Sequence, residues 1–199
     1  MTIVKANPEM EGLLERTAAL HKHLCPRQVL GVRMGMYAAE QLSIEVPQTA
    51  KRLLAFVETD GCFADGVSIA TGCSMGHRTM RLVDYGKVAA TFVDTHNGRA
   101  LRCFPSLDVR SRAVAFATGA PSRWHAQLAA YQQMPSEQIF QVREVSLNLD
   151  LSGIIGKPGT RAACSTCGEE ILNQREVIAD GRVSCLSCAG ESYWRAKSR

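Results

Sequence analysis

Two imidazoles and a thiol lie close together in the N-terminal part of the chain, at His21, His23 and Cys25, followed by Pro26. Imidazole nitrogen and thiolate sulfur are good ligands for zinc, and a thiolate can also act as a nucleophile. A chain with 5 histidines and 8 cysteines rarely gathers three of them in so short a stretch by chance. Taken singly, they could be a core histidine, an exposed histidine and a buried thiol. As a set they predict a site for a transition metal, with zinc as the first choice.

A second group of candidate residues follows farther along the chain. Cys62 comes just after the apolar run Leu53–Val57, which predicts a buried strand, and residues beyond strand ends often serve binding or catalysis. We therefore predict Cys62 as the long-range ligand of the same metal. Asp60 could orient a ligand imidazole through its other ring nitrogen. Asp65 is equally consistent with a role at this site and with a helix cap. Cys73 could be a metal ligand, a thiol partner or a core residue.

Four cysteines near the C-terminus form the most specific pattern in the sequence, Cys164, Cys167, Cys185 and Cys188. Two CxxC pairs at this separation are typical of structural zinc sites, in which four thiolates complete a tetrahedron. Glu176–Ile178 and Arg182–Cys185 would form a small hairpin between the pairs. Because so short a segment buries little apolar surface alone, we expect zinc to supply much of its stability.

The other elements predict an α+β fold with a mixed or antiparallel sheet packed by helices. Gly31 and Gly35 would let another element approach the second helix closely. Ser152–Gly159, rich in glycine and proline, is predicted to link a core domain, residues 1–155, to a treble-clef or ribbon-like zinc finger, residues 156–199. The first predicted helix ends near His21, and the others cover Gln28–Leu42, Asp65–Thr71, Leu107–Thr118 and Ser122–Met134. The predicted strands are Leu53–Val57, Lys87–Val93, Ala100–Phe104 and Ile139–Leu149.

Composition narrows the class of protein. A net charge of +4 does not by itself imply a nucleic-acid partner, and the zinc-finger segment has no basic patch, so nucleic-acid binding is not expected. The sequence contains no apolar stretch long enough to span a membrane and no signal-peptide pattern at its start, so we expect a cytoplasmic protein that does not bind membranes. CxxC pairs in such a chain favour metal ligation over disulfides.

The motifs together resemble the FmdE family, which is named after formylmethanofuran dehydrogenase. The resemblance rests on four stretches: His21–Arg27, Cys62–Asp65, Thr71–His77 and Tyr85–Phe92. It implies an α+β core with an auxiliary zinc module and a homodimer. It also implies a metal or reactive-thiol pocket built from His21, His23, Cys25 and Cys62. Lys22 and Arg27 replace glycines of the family pattern, and His77 replaces its lysine, so the pocket differs from the pattern beside its ligands.

Two kinds of function follow from this resemblance. The first is a metal-binding accessory protein of a molybdenum- or tungsten-type oxidoreductase, with an oxidoreductase subunit as partner. The second is an enzyme acting on a small carbonyl or one-carbon substrate, with Cys25 or Cys62 as nucleophile or zinc ligand, a bound water as the attacking group, and Asp60 or His23 as base. A zinc-finger regulator is a third and weaker hypothesis.

Overall fold

The computed structural model describes residues 8–156 and 159–197, which divide into two compact units between Leu149 and Asp150. We call residues up to Leu149 the core unit and those from Asp150 the C-terminal unit. The boundary predicted from sequence, 1–155 and 156–199, lies a few residues later, behind a short helix. No helix within the described ranges combines the length and hydropathy that a membrane span needs.

One five-stranded mixed sheet forms the base of the core unit, with strand order β2-β1-β3-β4-β5. β1 and β2 are parallel and the other neighbours antiparallel, which confirms the predicted mixed sheet. Every residue of β1 is buried, in keeping with its apolar sequence. The strands are β1 Leu53–Val57, β2 Met80–Leu82, β3 Ala90–Asp94, β4 Ala100–Pro105 and β5 Phe140–Val145.

Helix α2 is the central helix of the core unit and contacts α1, α3 and α5 as well as the strands β3 and β4. Most of its residues are buried, so it lies in the middle of the packing and not at its edge. Its first residue is Pro26, which confirms the predicted position of Cys25 and Pro26 at a helix start. The helices are α1 Pro8–His21, α2 Pro26–Leu42, α3 Cys62–Thr71, α4 Val109–Phe116, α5 Arg123–Gln133 and α6 Ser136–Ile139.

Glycines make the crossing of α2 and α3 very close. A Cβ atom at Gly31 would lie 2.2 Å from the carbonyl oxygen of Phe63 and 3.0 Å from the Cα of Gly66. One at Gly66 would lie 2.5 Å from the carbonyl oxygen of Gln28. The predicted close approach at Gly31 is therefore confirmed. Gly35 continues it, because a Cβ added there would lie 3.0 Å from side-chain atoms of Ala70 and Thr71 in α3.

Helix α3 differs from its prediction at one end. It begins at Cys62, three residues before the predicted start at Asp65, and follows Gly61 with φ +72°, a conformation that favours glycine. It stops at Gly72 with φ +76°, as predicted. The earlier start makes Cys62 part of the helix and places Cys62 and Asp65 on one helical face.

Three other predictions need correction. The last strand of the core unit ends at Val145 instead of Leu149, and the short strand β2 was not predicted because three residues carry no alternation to detect. Part of the predicted linker forms a helix, α7 Leu151–Ile155, because the carboxylate of Asp150 caps it by accepting from the Ser152 amide. Residues 157–158 of the same linker lie outside the described ranges.

After α7, the C-terminal unit consists of two small hairpins and a helical turn. β6 Arg161–Ala163 pairs with β7 Glu170–Leu172, and β8 Val177–Ala179 pairs with β9 Arg182–Ser184. The second pairing, with Ile178 opposite Val183, confirms the predicted hairpin. The helical turn follows at Ser187–Glu191. Each CxxC pair therefore begins directly after a strand, the first after β6 and the second after β9.

Candidate functional site

A buried glutamine fixes the turn between α1 and α2, where the N-terminal candidates lie. The amide of Cys25 donates to Gln28 Oε1 at 2.6 Å, and Gln28 Nε2 donates to the Thr17 carbonyl oxygen of α1 at 3.0 Å. Gln28 is fully buried. This glutamine thus ties the two helices together and holds Cys25 at the start of α2, while Lys22 turns the chain with φ +59°.

Helix α3 brings two side chains to His21. His21 Nε2 donates to Asp65 Oδ2 at 2.7 Å, and its other ring nitrogen, Nδ1, lies 4.0 Å from Cys62 Sγ. The thiol of Cys25 neighbours that of Cys62 and raises the pKa of Cys62 through hydrogen bonding and charge. His21, Cys25, Cys62 and Asp65 therefore form one cluster, which we call the His–Cys cluster. Of the four ligands predicted for this site, the structure places the His21 imidazole next to the Cys62 thiol, and within the described ranges it does not bring three of them within 4.8 Å of one another.

Asp65 is the residue that the sequence did not single out for this role. Asp65 has the role that was predicted for Asp60. Its carboxylate binds Nε2 of His21, the ring nitrogen that faces away from the Cys62 thiol. The spacing Cys62-x-x-Asp65 places both on one face of a helix, and that signal could have identified the pair. A carboxylate on one imidazole nitrogen fixes the tautomer and leaves the other nitrogen to accept or to ligate.

His23 and Asp60 lie at the edge of the cluster. His23 is exposed, its Nδ1 donates to the His21 carbonyl oxygen at 2.8 Å, and its ring lies 6.1 Å from that of His21, centroid to centroid. Asp60 is exposed, and within the described residues it has no hydrogen bond to the cluster. The metal-binding role of His23 and the catalytic role of Asp60 stay predictions.

The environment keeps the Cys62 thiol protonated. Burial raises its pKa, and the hydrogen bond and charge of Cys25 and the carboxylate of Asp65 act in the same direction. A nucleophilic thiolate needs the opposite shift. A bound divalent cation would provide it, because a metal ion deprotonates the thiols that coordinate it.

The other core cysteines are structural. Cys73 is buried and donates its S–H to the Leu53 carbonyl oxygen at 3.3 Å, so of the alternatives left open for it the core is the one that the structure supports. Cys103 is fully buried in β4, and burial raises its pKa to about 12. Both thiols are therefore inert at neutral pH.

The four C-terminal cysteines already have the arrangement of a metal site. Their sulfur atoms all lie within 4.8 Å of one another, and within the described ranges no other set of three or more His, Cys, Asp or Glu side chains converges so closely. The Cys185 amide donates to Cys164 Sγ at 3.3 Å, and the Cys188 amide to Cys185 Sγ at 3.4 Å. Amide-to-sulfur bonds of this kind stabilise thiolate ligands.

The hydrogen bonds and burial of these cysteines explain why a cation fits them. Hydrogen bonds from the amides of Cys167, Cys185 and Thr166 lower the pKa of Cys164 to about 6. The pKa of Cys188 rises to about 12, first because of its hydrogen bond with Cys185 and then because of burial. Without a cation, Cys164 therefore contributes to raising the pKa values of Cys167 and Cys188. A zinc ion would stabilise all four cysteines as thiolates, because it coordinates each sulfur in its deprotonated form.

Comparison with known proteins agrees with this two-unit architecture. The family model described as FmdE, Molybdenum formylmethanofuran dehydrogenase operon, matches residues 20–141, and that of the prokaryotic dksA/traR C4-type zinc finger matches residues 157–193. A tungsten formylmethanofuran dehydrogenase FmdE-like protein from Syntrophus aciditrophicus has a similar fold, with a TM-score of 0.61 and 22% identity over 98% of this chain and 100% of that one.

A curated relative from Archaeoglobus fulgidus, named probable S-adenosyl-L-methionine-binding protein, is 28% identical over 95% of this chain. The chain spans 56% of that relative's length. The family match covers more than half of the chain and includes His21, Cys25, Cys62 and Asp65. The chain therefore belongs to the FmdE family and carries a C4-type zinc finger at its C-terminal end.

Proposed function

We propose that the core unit binds a second transition metal through His21, Cys25 and Cys62, with zinc as the first choice. The observation that carries the proposal is the placement of His21, whose Nδ1 faces the Cys62 sulfur while its Nε2 is held by Asp65. One imidazole and two thiols form a donor set suited to zinc. His23, next to them in the sequence, is the proposed fourth ligand.

The donor set leaves room for a ligand from outside the protein. Three protein ligands with an open or exchangeable fourth position are typical of catalytic or substrate-binding zinc, in contrast to the closed four-thiol site. His23 is exposed and its ring is turned to a backbone carbonyl, so it is the donor most easily exchanged. A metal bound here would act as a Lewis acid toward a small ligand.

Metal content per chain tests this proposal. We expect two equivalents in protein purified without added metal, and one in the double variant Cys25→Ala/Cys62→Ala, because the C-terminal site is untouched. Cys103→Ala is the matched control, since it removes a buried thiol outside the cluster and should keep both metals. An unchanged metal content in the double variant would disprove the second site.

The metal site supports a role as an accessory protein of a molybdenum- or tungsten-type oxidoreductase. Support comes from the family description and from the two-unit layout, in which a C4 finger separate from the core can dock a partner. Affinity purification from the source cell should recover an oxidoreductase subunit with the wild-type protein. Recovery of only the bait, at the level of an unrelated zinc-finger control, would contradict this role. A homodimer and a cytoplasmic location complete the proposal.

A thiol-dependent enzyme has less support. The pKa of Cys62 is raised, and Asp60, one of the two predicted bases, is exposed and within the described residues has no hydrogen bond to the cluster. Metal-assisted chemistry on a small carbonyl or one-carbon substrate is the form of the enzyme hypothesis that fits these observations, because it needs no free thiolate.

A further inference from the structure

A large cleft opens in the core unit beside Cys25, on the side of α2 where the helix begins. Its volume is about 930 Å³, within the range of sites for small molecules. Its walls come from the start of α2, the segment before β3, the end of β4 and the helices α4 and α5. Of the His–Cys cluster, Cys25 alone lines it among the described residues.

The charged side chains that line this cleft are all positive among the described residues. Arg27, Lys87, Arg110 and Arg123 line it, all four are exposed, and within the described residues none forms an ion pair with a carboxylate. The described lining contains no aspartate or glutamate. A fifth cation, Arg102, is neutralised by Glu58, to which it donates at 2.6 and 2.7 Å. The four cations without a carboxylate partner make the cleft strongly attractive to anions.

Backbone dipoles add to these charges. Arg27, Arg110 and Arg123 each lie in the first turn of a helix, α2, α4 and α5 respectively. The first turn of a helix has amide groups without intrahelical partners and the positive end of the helix dipole. Helix starts and cations therefore favour negative charge at the same place.

The cleft also offers flat apolar surface and a hydrogen-bond donor. Phe104 and Trp124 line it, and the Arg102 guanidinium lies 5.1 Å from the centre of the Phe104 ring. Tyr131, which is 1% exposed, lines the cleft as well. Burial raises the pKa of this phenol, so it stays a donor at neutral pH.

We propose that this cleft binds a small ligand that combines a planar ring with at least two phosphate or carboxylate groups. The aromatic walls fit the ring, and the four cations fit the anionic groups. The same charges oppose a cationic ligand. This inference goes beyond the proposed metal site and does not depend on it, because none of the four cations is a proposed metal ligand.

A nucleoside diphosphate is a suitable probe, since it has both features. We expect calorimetric titration of the full chain to detect ADP binding that weakens as salt is raised, and to find adenosine at least about tenfold weaker, because it lacks the anionic groups. If ADP does not bind at low salt, or if adenosine binds as tightly as ADP, the proposal is wrong.

Paired variants separate the cleft from general attraction to a basic protein. Arg110→Gln/Arg123→Gln removes two cleft cations, and Arg16→Gln/Arg99→Gln removes two exposed cations of the core unit that do not line the cleft. We expect the first pair to weaken ADP binding about tenfold or more and the second to leave it within about twofold, with metal content unchanged in both. Equal weakening by the two pairs would overturn the assignment of the site.

Discussion

Replacing Cys164 with alanine is expected to remove the C-terminal metal and to unfold residues 160–191, while the core unit stays folded. Cys164 is the buried member of the four-cysteine set, and its sulfur accepts the Cys185 amide that links the two hairpins. The C-terminal unit otherwise consists of strands of three residues and few buried side chains, Ile171 among them. Structural zinc contributes about 10–16 kcal/mol in zinc-finger peptides, more than a unit of this size gains from its core.

Hydrogen exchange of the full chain followed by mass spectrometry measures this effect locally. In Cys164→Ala, amides of β6 to β9 should exchange as in an unfolded peptide, and amides of α2 and β1 should keep their wild-type protection. Thr166→Ala is the matched control, because it changes the same loop without removing a ligand, and it should retain the metal. Chelation of the wild type should reproduce the Cys164→Ala pattern.

The opposite result would be equally informative. If the C-terminal unit of Cys164→Ala stays protected with its metal removed, the hairpins are stable without zinc, and the site is a binding site instead of a structural one. If the core unit loses protection as well, the two units unfold together.

The zinc finger could be predicted from the sequence because its signal is local. The CxxC pairs place the thiols in knuckles by short-range geometry alone, and the hairpin of Val177–Ala179 with Arg182–Ser184 needs only a turn between two short strands. Each part of that prediction involves residues close together in the chain. The predicted zinc finger therefore depends little on tertiary packing.

The His–Cys cluster could be predicted only in part. His21, Cys25 and Cys62 were identified by residue type, and the structure places His21 Nδ1 4.0 Å from Cys62 Sγ, with Cys25 acting on the Cys62 thiol. Their joint role as metal ligands stays a prediction. Asp60 was predicted to orient a ligand imidazole, and Asp65 was considered a possible cap of a helix predicted to start there. Once α3 begins at Cys62, Asp65 lies one turn along the same face, and Gly61 holds Asp60 outside the helix. A shift of three residues in one helix boundary therefore changed the assigned role of two carboxylates.

The cation-lined cleft was not predicted from the sequence. Its cations, Arg27, Lys87, Arg110 and Arg123, are far apart in the chain, and only Arg27 was singled out, as a replacement of a glycine in the family pattern. Only the packing of α2, α4 and α5 brings them to one opening. Net charge gives no hint of this, since a value of +4 for the whole chain does not show where the charges lie.

Substitution of Gly31 with alanine is expected to destabilise the core unit strongly, even though alanine is the better helix former. The added Cβ would lie 2.2 Å from the Phe63 carbonyl oxygen and 3.0 Å from the Cα of Gly66. These neighbours are backbone atoms of α3, so a side-chain rotation cannot relieve the overlap and the helices must separate. We expect a loss of about 3 kcal/mol in the free energy of unfolding, at the upper end for overpacked cores.

Gly12→Ala provides the control of opposite sign. Gly12 lies inside α1, and a Cβ there meets no atom within 4 Å. The same substitution should therefore stabilise the protein by about 1 kcal/mol, the difference in helix propensity. Urea unfolding followed by circular dichroism measures both variants. A Gly31→Ala protein as stable as Gly12→Ala would show that α2 and α3 do not cross as closely as the structure has them.

The crossing also determines the geometry of the His–Cys cluster. Cys25 precedes the first residue of α2 and Cys62 is the first residue of α3, so the separation of the two thiols depends on how closely these helices pack. If Gly31→Ala forces the helices apart, the folded variant should also hold less of the second metal, while its C-terminal zinc is unchanged. A variant that loses stability but keeps two equivalents of metal would show that the thiols tolerate the displacement. Metal content measured under conditions where Gly31→Ala is folded therefore tests whether the glycine contact positions the site as well as stabilising the fold.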